Sequence, residues 1–255
     1  MAHDSSYFDA IPNSEAFNAQ RTVWQEKMAE DHELRSKAVE LTISADNYKY
    51  GYQWQWCGVP IIRHPDDIVL QQEIVFDIRP ACIVETGIAR GGSLVLSSTL
   101  LKMLGLKSKV LGIDIKVFQH AKESLRNWLN TKEIEILECD STSDFAKENV
   151  IRFLGNTTSP SLLILDSDHS GAHVSAELAN YSELLAIGSI IMVADTIIEE
   201  MPSGYYSERT WGKGDNPLTA VNNFLRDNNN WQICNKYSRR SLMGECRDGI
   251  LIKVN

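Results

Sequence analysis

The sequence has few cysteines, and none of them follows a metal-binding or disulfide pattern. Its five cysteines stand singly, and no C-x-x-C pair occurs. An odd number of scattered cysteines predicts neither a zinc knuckle nor a disulfide framework. Such usage is typical of a reducing compartment. We therefore expect a cytoplasmic protein in which Cys82 and Cys139 pack as small apolar residues.

The sequence also lacks a long apolar run and an excess of positive charge. Its longest apolar runs, such as residues 190–194, are too short to cross a bilayer. Residues 1–18 have neither the basic stretch nor the apolar core of a signal peptide. The net charge of -9 disfavours nucleic acid, because an acidic surface repels phosphates. We therefore expect neither a membrane span nor a nucleic-acid partner.

The composition that is present is that of a globular protein with two parts. The 255 residues are 43% hydrophobic and 23% charged, which suits one sizeable α/β domain. We place this domain at residues 66–255 and an extension at residues 1–65. Within the extension, residues 14–45 have apolar positions at helical spacing, and residues 48–65 are dense in aromatic rings. The aromatic segment either fixes the helices to the domain or covers a ligand, and it favours a homo-oligomer.

From residue 66 onward, short apolar runs alternate with helical patterns. The runs that predict strands are residues 81–86, 109–114, 134–139, 161–166, 189–195, 231–235 and 249–254. The helical patterns cover residues 66–78, 92–104, 118–130, 143–154, 171–186 and 217–227. This alternation predicts a mostly parallel, doubly wound, Rossmann-like sheet with helices on both faces. Ligands bind such sheets at the carboxyl ends of the strands, so the residues after each strand are the site candidates.

The first strand of this pattern is followed by a glycine-rich turn. Its candidate ligand-binding residues are Glu85, Thr86, Gly87, Arg90, Gly91 and Ser93. Glycine allows a tight turn that brings backbone N–H groups close to a ligand. The spacing is G-x-x-x-G-G and not the G-x-G-x-x-G that binds a pyrophosphate, which disfavours a dinucleotide. Taken alone, the same glycines would also suit an ordinary strand-to-helix turn.

The next two strands also end in polar residues. Asp114 ends the second strand, where a carboxylate can accept hydrogen bonds from both hydroxyls of a ribose, and Asp140 and Ser141 follow the third, where an adenine can lie. Each aspartate could instead cap the following helix. Together with Glu85 and Gly87, however, they form the arrangement that a nucleoside-bearing methyl donor requires.

The fourth strand ends in the densest polar cluster, Asp166, Ser167, Asp168 and His169, and Asp195 follows the fifth. These strands are neighbours in a doubly wound sheet, so Asp168 and Asp195 could hold Mg²⁺. Either residue could instead form a helix cap or a turn.

His169 is the candidate general base, with Asp168 as the second catalytic candidate. An imidazole can accept a proton near neutral pH, and His169 follows directly on the predicted fourth strand. The other interpretation is that it only orients the loop before the next helix. His169, His173 and Glu177 also share one helical spacing, which suits either a zinc site or a solvated helix face.

Three stretches of the sequence resemble the cephalosporin hydroxylase family: VETGIARGGSL, LDSDHSGAHVSAELANYSELLAIGSIIMVADT and WGKGDNPLTAVNNFL. Members of that family are similar to S-adenosylmethionine-dependent O-methyltransferases, including rhamnosyl O-methyltransferases. The resemblance runs from about Trp54 onward. It implies a class I methyltransferase fold with S-adenosylmethionine near residues 85–93, Asp114 and Asp140. We add Asp166 to this donor site.

The resemblance also implies a divalent metal near Asp168 and Asp195. One branch of the family has an acidic pair at the end of the fifth strand, whereas residue 194 is alanine here. One ligand is therefore either missing or replaced by Glu199 or Glu200.

These observations predict an S-adenosylmethionine-dependent O-methyltransferase. The expected acceptor is a hydroxyl of a small molecule, such as a sugar of a natural product, a glycolipid or a surface glycan. A nucleotide-dependent oxidoreductase or hydroxylase component is the first alternative, although neither a nicotinamide fingerprint nor an iron triad is present. A non-catalytic protein that binds the donor and assists a partner enzyme is the second.

Overall fold

The computed structural model describes residues 15–255, and residues 1–14 of the predicted extension lie outside the described residues. The described part begins with two helices, α1 (Glu15–Glu30) and α2 (His32–Asp46). Asp31 separates them, because its side chain caps α2 by accepting a 2.9 Å hydrogen bond from the Leu34 N–H. The helices predicted over residues 14–45 are confirmed.

The aromatic segment forms a short 3₁₀ turn, Tyr50–Tyr52, and an antiparallel hairpin of β1 (Trp54–Trp56) and β2 (Val59–Ile61). The hairpin packs on the main domain, where the Trp56 indole N–H donates to Thr99 Oγ1 at 2.7 Å. This segment therefore fixes the extension to the domain, as the first of the two interpretations predicts.

The main domain is built around one seven-stranded sheet. Its strands are β3 (Cys82–Thr86), β4 (Lys109–Asp114), β5 (Ile134–Glu138), β6 (Leu162–Leu165), β7 (Ile190–Val193), β8 (Trp231–Ile233) and β9 (Ile250–Lys253). Their order across the sheet is β5-β4-β3-β6-β7-β9-β8. The first five run parallel, and β9 pairs antiparallel with both β7 and β8. The predicted Rossmann-like architecture is confirmed.

Helices cover both faces of this sheet. They are α3 (Pro65–Ile78), α4 (Gly92–Met103), α5 (Gln119–Asn130), α6 (Asp144–Leu154), α7 (Gly171–Tyr181), α8 (Pro217–Asp227) and the short α9 (Asn235–Ser238). Each face has its own cluster of buried apolar residues, which is why the central strands are nearly continuous apolar runs. In residues 15–255, no helix is long and apolar enough to span a membrane.

Helix α7 ends earlier than the predicted range of 171–186. A 3₁₀ turn, Ser182–Leu184, follows it. The Ser182 carbonyl accepts hydrogen bonds from the Leu185 N–H and from the Lys253 ammonium, at 3.4 and 3.2 Å. The chain therefore tightens here and does not continue the α-helical pattern.

The strand order reverses between β3 and β6. In α/β sheets, a cleft opens at this point outside the carboxyl ends of the strands. The turn after β3 and the polar cluster after β6 meet there: the Asp166 N–H donates to the Thr86 carbonyl at 3.0 Å. The fold thus brings two of the predicted candidate regions to one place.

Candidate active site

A cavity of about 750 Å³ opens at the carboxyl ends of β3 and β6. Its floor consists of the turn at residues 85–93 and the loop at residues 166–169, with Asp195 beside them. Its walls come from the aromatic segment at residues 49–52 and the loop at residues 201–211. The aromatic segment thus lines the cavity as well as fixing the extension, and its covering a ligand stays a prediction. A cavity of this size can enclose a ligand of drug-like dimensions.

The turn after β3 requires its glycines. Gly87 has φ of 88°, and a Cβ there would overlap the carbonyl oxygen of Asp166. Gly91 has φ of 89°, and its Cβ would lie 2.8 Å from the Leu125 side chain. Even Ala89 is left-handed, with φ of 45°. Glycine is therefore required at 87 by the close approach to the end of β6, and at 91 by the left-handed backbone beside α5.

Asp114 holds this turn in place from the end of β4. Its Oδ2 accepts hydrogen bonds from the N–H groups of Ile88 and Ala89, at 2.8 and 3.4 Å, and its Oδ1 accepts one from Lys116 N–H at 3.0 Å. The carboxylate thus acts on the turn itself, and it lies behind the cavity wall.

Glu85 is completely buried beneath the turn. The Ser93 hydroxyl donates to its Oε1, and the Arg63 guanidinium lies 3.2 Å from the same oxygen. Its Oε2 is buried and has no hydrogen-bond partner among the described residues. Burial raises the pKa of Glu85, whereas Arg63 and Ser93 oppose the rise. Glu85 also lines the cavity, so its second oxygen can take a donor group from a ligand.

Arg63 is a site residue that sequence reasoning missed. It follows β2, is 2% exposed, and donates to Gln71 at 2.5 Å and to Glu85 and Asp166 at 3.2 and 3.4 Å. Burial raises the pKa of Asp166 to about 7, with Arg63 opposing the rise and Asp195 adding to it. One guanidinium from the extension therefore joins the turn after β3 to the end of β6.

Asp166, His169 and Asp195 form a candidate metal-binding group. Their ligand atoms all lie within 4.8 Å of one another, and His169 Nε2 is 3.5 Å from Asp195 Oδ2. Asp195 is left-handed, with φ of 57°, a conformation that aspartate tolerates better than most residues. Strain of this kind is concentrated at functional sites.

Asp168 is not part of that group. Its Oδ1 accepts hydrogen bonds from the backbone N–H and the hydroxyl of Ser170, at 2.9 and 2.6 Å, and its side chain is exposed at the start of α7. These bonds lower the pKa of Asp168 although burial opposes them. Asp166, which we had assigned to the donor, therefore occupies the position beside Asp195 that we expected for Asp168.

The cavity has more negative than positive charge. Its lining has six carboxylates, Asp46, Glu85, Asp166, Asp168, Asp195 and Glu245, against the three cations Lys49, Arg90 and Arg209. The buried guanidinium of Arg63 faces Glu85 and Asp166. Buried charges are normally paired or bound to metal. Two carboxylates and an imidazole suit a divalent cation, and Mg²⁺ in particular prefers the carboxylate oxygens. The donor set therefore fits the expected metal.

Neither Glu199 nor Glu200 takes the place of the acidic residue that Ala194 lacks. Glu199 accepts hydrogen bonds from the Gly214 N–H and the Asn216 amide, at 2.8 and 2.5 Å. Glu200 pairs with Arg35 and Arg247, at 2.8 and 3.0 Å. Both carboxylates are occupied in holding the loop after β7.

Glu245 provides an additional carboxylate on the cavity wall, which sequence reasoning missed. Its backbone N–H donates to Asp67 Oδ2 at 2.7 Å, and its carbonyl accepts from the Thr196 hydroxyl at 3.1 Å. Burial raises its pKa well above the ordinary value, and the charge of Asp195 adds to the rise. It therefore faces the same space as the metal-binding group.

Aromatic rings line the cavity near His169. The Trp211 ring meets the imidazole edge-on, with centroids 5.1 Å apart, and Tyr206 lies 4.9 Å from Trp211. Tyr50 and Tyr52 line the same cavity from the extension. This part of the cavity is suited to a ligand with apolar faces.

The remaining candidates do not line the cavity. Thr86 is buried. Asp140 forms a turn in which its Oδ1 accepts from the Thr142 N–H and hydroxyl, at 2.8 and 2.7 Å. Ser141 is buried and bonds to Glu177. The helical stripe of His169, His173 and Glu177 is neither a shared metal site nor a solvated face: His169 faces Asp195, and Glu177 is fully buried.

Comparison with known proteins places these features in a family. A family model described as Rhamnosyl O-methyltransferase/CmcI matches residues 48–254. The rhamnosyl O-methyltransferase of Mycobacterium leprae (strain TN) is 28% identical over 147 residues, which are 58% of this chain and 62% of that protein. That of Mycobacterium tuberculosis (strain ATCC 25618 / H37Rv) is 28% identical over 147 residues, 58% of each chain. The match thus spans about three fifths of the length of these curated relatives.

Solved structures of low sequence identity show the same fold. A CmcI structure with Mg and SAM is 20% identical, with a TM-score of 0.55, and the match covers 80% of this chain and 78% of that one. An apo-structure of CmcI is 21% identical, with a TM-score of 0.54, and the match covers 80% and 77%. The class I methyltransferase architecture expected from the sequence is thereby confirmed.

Proposed function

Because the chain belongs to the Rhamnosyl O-methyltransferase/CmcI family, we propose that it transfers a methyl group from S-adenosylmethionine to a hydroxyl of a sugar. The observation that carries the proposal is the position of His169: it lines the same cavity as the glycine turn and its buried Glu85, and its ring packs edge-on against Trp211. A donor and an acceptor bound on these two sides would meet at one imidazole. The acceptor is a sugar of a natural product, a glycolipid or a surface glycan.

The donor would bind at the turn after β3. The unpartnered Oε2 of Glu85 suits the ammonium group of its methionine part, because a carboxylate accepts strong hydrogen bonds from a cation. The exposed Arg90 lines the cavity beside it and suits the carboxylate of the donor. Asp114, which fixes the turn, would hold the ribose, and the loop at Asp140 and Ser141 would hold the adenine. The donor supplies the methyl group as an electrophilic sulfonium.

The acceptor would bind between the aromatic segment and the loop at residues 201–211. The apolar faces of a sugar ring can pack on Tyr206 and Trp211. The carboxylate of Glu245 can accept a hydrogen bond from a neighbouring hydroxyl. This placement brings the reacting hydroxyl to His169.

His169 would remove the proton of that hydroxyl as methyl transfer proceeds. Asp195 Oδ2 lies 3.5 Å from Nε2 of the imidazole and orients the ring. A divalent cation held by Asp166 and Asp195, with the His169 imidazole left free to accept the proton, would lower the proton affinity of the hydroxyl. The protein otherwise acts by aligning the two substrates and excluding water.

Calorimetry tests the class of ligand. We expect S-adenosylmethionine to bind and NAD⁺ not to bind. Binding of NAD⁺ without S-adenosylmethionine would favour the oxidoreductase alternative. Transfer of a labelled methyl group to a panel of rhamnosides would support the enzyme, whereas donor binding with no turnover on any hydroxylated acceptor would favour a non-catalytic partner protein.

We also propose that the protein works in the cytoplasm as a homo-oligomer. All five cysteines are free, which agrees with a reducing compartment. Val23 and Trp24 of α1 are 40% exposed, and such apolar surface is often covered by another subunit. Sedimentation of the purified chain tests the oligomer: a purely monomeric species would contradict it.

A further inference from the structure

Glu177 lies where two loops of the site meet. It belongs to α7, is completely buried, and stands between the loop after β5, residues 139–142, and the loop after β6, residues 166–170. The first loop is the proposed adenine side of the donor site. The second carries Asp166 and His169.

One oxygen of Glu177 binds both loops. The hydroxyls of Ser141 and Ser167 donate to its Oε1 at 2.6 and 2.7 Å. The Nε2 of His173 lies 3.0 and 3.1 Å from the same two hydroxyls and 3.4 Å from Oε1. These four side chains form one compact polar cluster.

The cluster is built to hold position and not to react. In a nucleophilic triad, one ring nitrogen of the histidine accepts a hydrogen bond from the hydroxyl, and the other ring nitrogen donates one to the carboxylate. Here the same nitrogen of His173 faces the hydroxyls and Glu177. A buried polar network of this kind fixes the groups that it joins.

The bonds of α7 to the first loop continue beyond Glu177. The Tyr181 hydroxyl donates to the Ser141 carbonyl, and the Asn180 amide donates to the Thr142 carbonyl at 2.8 Å. Among the described residues, the side chains of α7 that contact a hydroxyl of each loop are His173 and Glu177, and the Glu177 carboxylate accepts a hydrogen bond from both hydroxyls. A ligand that fixes one loop can therefore also fix the other, through the hydrogen bonds of both loops to Glu177.

We propose that Glu177 is a positioning residue that couples the donor site to the metal-binding group. A ligand that orders the first loop would order the second through Ser141, Glu177 and Ser167. Cation binding would then lose less conformational entropy, because the loop that carries its ligands is already ordered. The coupling is reciprocal, so the cation must raise donor affinity by the same factor. This inference rests on the proposed function.

The test measures that factor by binding alone. The probes are Mn²⁺, followed by electron paramagnetic resonance, and S-adenosylhomocysteine, followed by calorimetry. S-adenosylhomocysteine has no sulfonium charge, so it does not repel the cation directly. For the parent chain, we expect each probe to raise the affinity of the other by about five-fold or more.

Ser167→Ala removes the hydrogen bond from the second loop, and Glu177→Gln removes the charge while it keeps an acceptor oxygen. We expect the coupling factor to fall towards one in Ser167→Ala and to decrease in Glu177→Gln. A purely structural role would lower the melting temperature, or would weaken the binding of both probes, without changing the coupling factor.

Two variants on the same helix are the controls. The Ser175 hydroxyl donates to the Gly171 carbonyl outside the cluster, so Ser175→Ala should keep the parental factor. Asn180→Ala should weaken donor binding and keep the parental coupling factor, because the amide of Asn180 donates to the Thr142 carbonyl of the first loop.

Several results would overturn the inference. They are a parent chain that binds both probes independently, a Ser167→Ala variant with the parental factor, and an equal loss in Ser175→Ala. If Ser167→Ala does not fold, Ser141→Ala and Glu177→Gln give the same comparison. A parent chain that binds no S-adenosylhomocysteine would instead refute the proposed function.

Discussion

Replacement of Arg63 by methionine tests how the extension supports the site. Methionine keeps an unbranched apolar stem and removes the guanidinium that contacts Gln71, Glu85 and Asp166. Breaking a buried ion pair on one side costs about 3–5 kcal/mol, because the remaining charge stays buried without a partner. For a chain of this size, that corresponds to a decrease in melting temperature of about 6–20 °C.

The loss should also depend on pH. Arg63 lowers the pKa of Glu85 and of Asp166, so its removal lets both values rise further above those of the unfolded chain. Asp166 already has a pKa of about 7, against about 4 for an unfolded aspartate. The folded variant therefore binds more protons than the unfolded chain between about pH 4 and at least pH 7, and its free energy of unfolding falls as pH rises through that window. We expect the deficit relative to the parent to be larger at pH 8 than at pH 5.

Urea denaturation of the parent and the variant at both pH values measures this. Arg35→Met is the matched control, because Arg35 also bridges two carboxylates, Glu200 and Asp248, but is 27% exposed. Exposed ion pairs contribute about 0.2–1 kcal/mol each. The reasoning fails if Arg63→Met costs no more than Arg35→Met, or if its deficit increases on going to pH 5.

Three further predictions concern the turn after β3, the aspartate that holds it and the loop after β6. Gly87→Ala should lower the free energy of unfolding, measured by thermal denaturation, by about 2–5 kcal/mol, because the strain of the left-handed backbone and the overlap with the Asp166 carbonyl add together. Gly58→Ala is the control: Gly58 has φ of 81° but open space around it, so only the backbone strain should be lost. Equal losses in the two variants would contradict the overlap. Asp114→Ala should weaken S-adenosylmethionine binding by about 1.5–3 kcal/mol in calorimetry, and unchanged binding would remove Asp114 from the donor site. His169→Ala should lower kcat by a factor of about 10²–10⁴ with little effect on donor affinity. His169→Gln should be equally slow. Activity of His169→Ala within a few-fold of the parent would argue against a general base.

The sequence was sufficient to predict the sheet and the edge at which the site lies. Continuous apolar runs such as 161–166 have the length of buried strands, and the helices between the first five runs favour parallel pairing. The glycines of the turn after β3 were also informative, because Gly87 has to meet the backbone of β6. These signals are local, so a single sequence shows them.

The exchange of Asp166 and Asp168 could not be predicted with the same reliability. Both follow the fourth strand, and only the hydrogen bonds of Asp168 to Ser170 show which one turns away. An aspartate two residues before a serine at a helix start is a turn signal that favoured this outcome. The sequence pattern nevertheless fits either aspartate as a ligand.

Arg63 and Glu245 could not be found from local patterns at all. Arg63 contacts Asp166, which lies 103 residues later, and Glu245 reaches the cavity from the segment before β9. Neither belongs to a motif, and their roles arise only when distant parts of the chain pack together. The sequence identifies the site residues at strand ends, whereas the charged groups that shift the pKa of those residues come from distant segments of the chain.

The order of strands at one edge of the sheet has a consequence for synthesis of the protein. β9 comes last among the described strands, yet it lies between β7 and β8, which precede it. A ribosome therefore releases β8 with no neighbour to pair with until β9 has also emerged. The segment that carries Glu245 precedes β9 directly and is fixed against Thr196. We thus expect a nascent chain that already has its glycine turn and His169 to form the complete cavity only after residue 253 has left the ribosome, because domains generally fold as units.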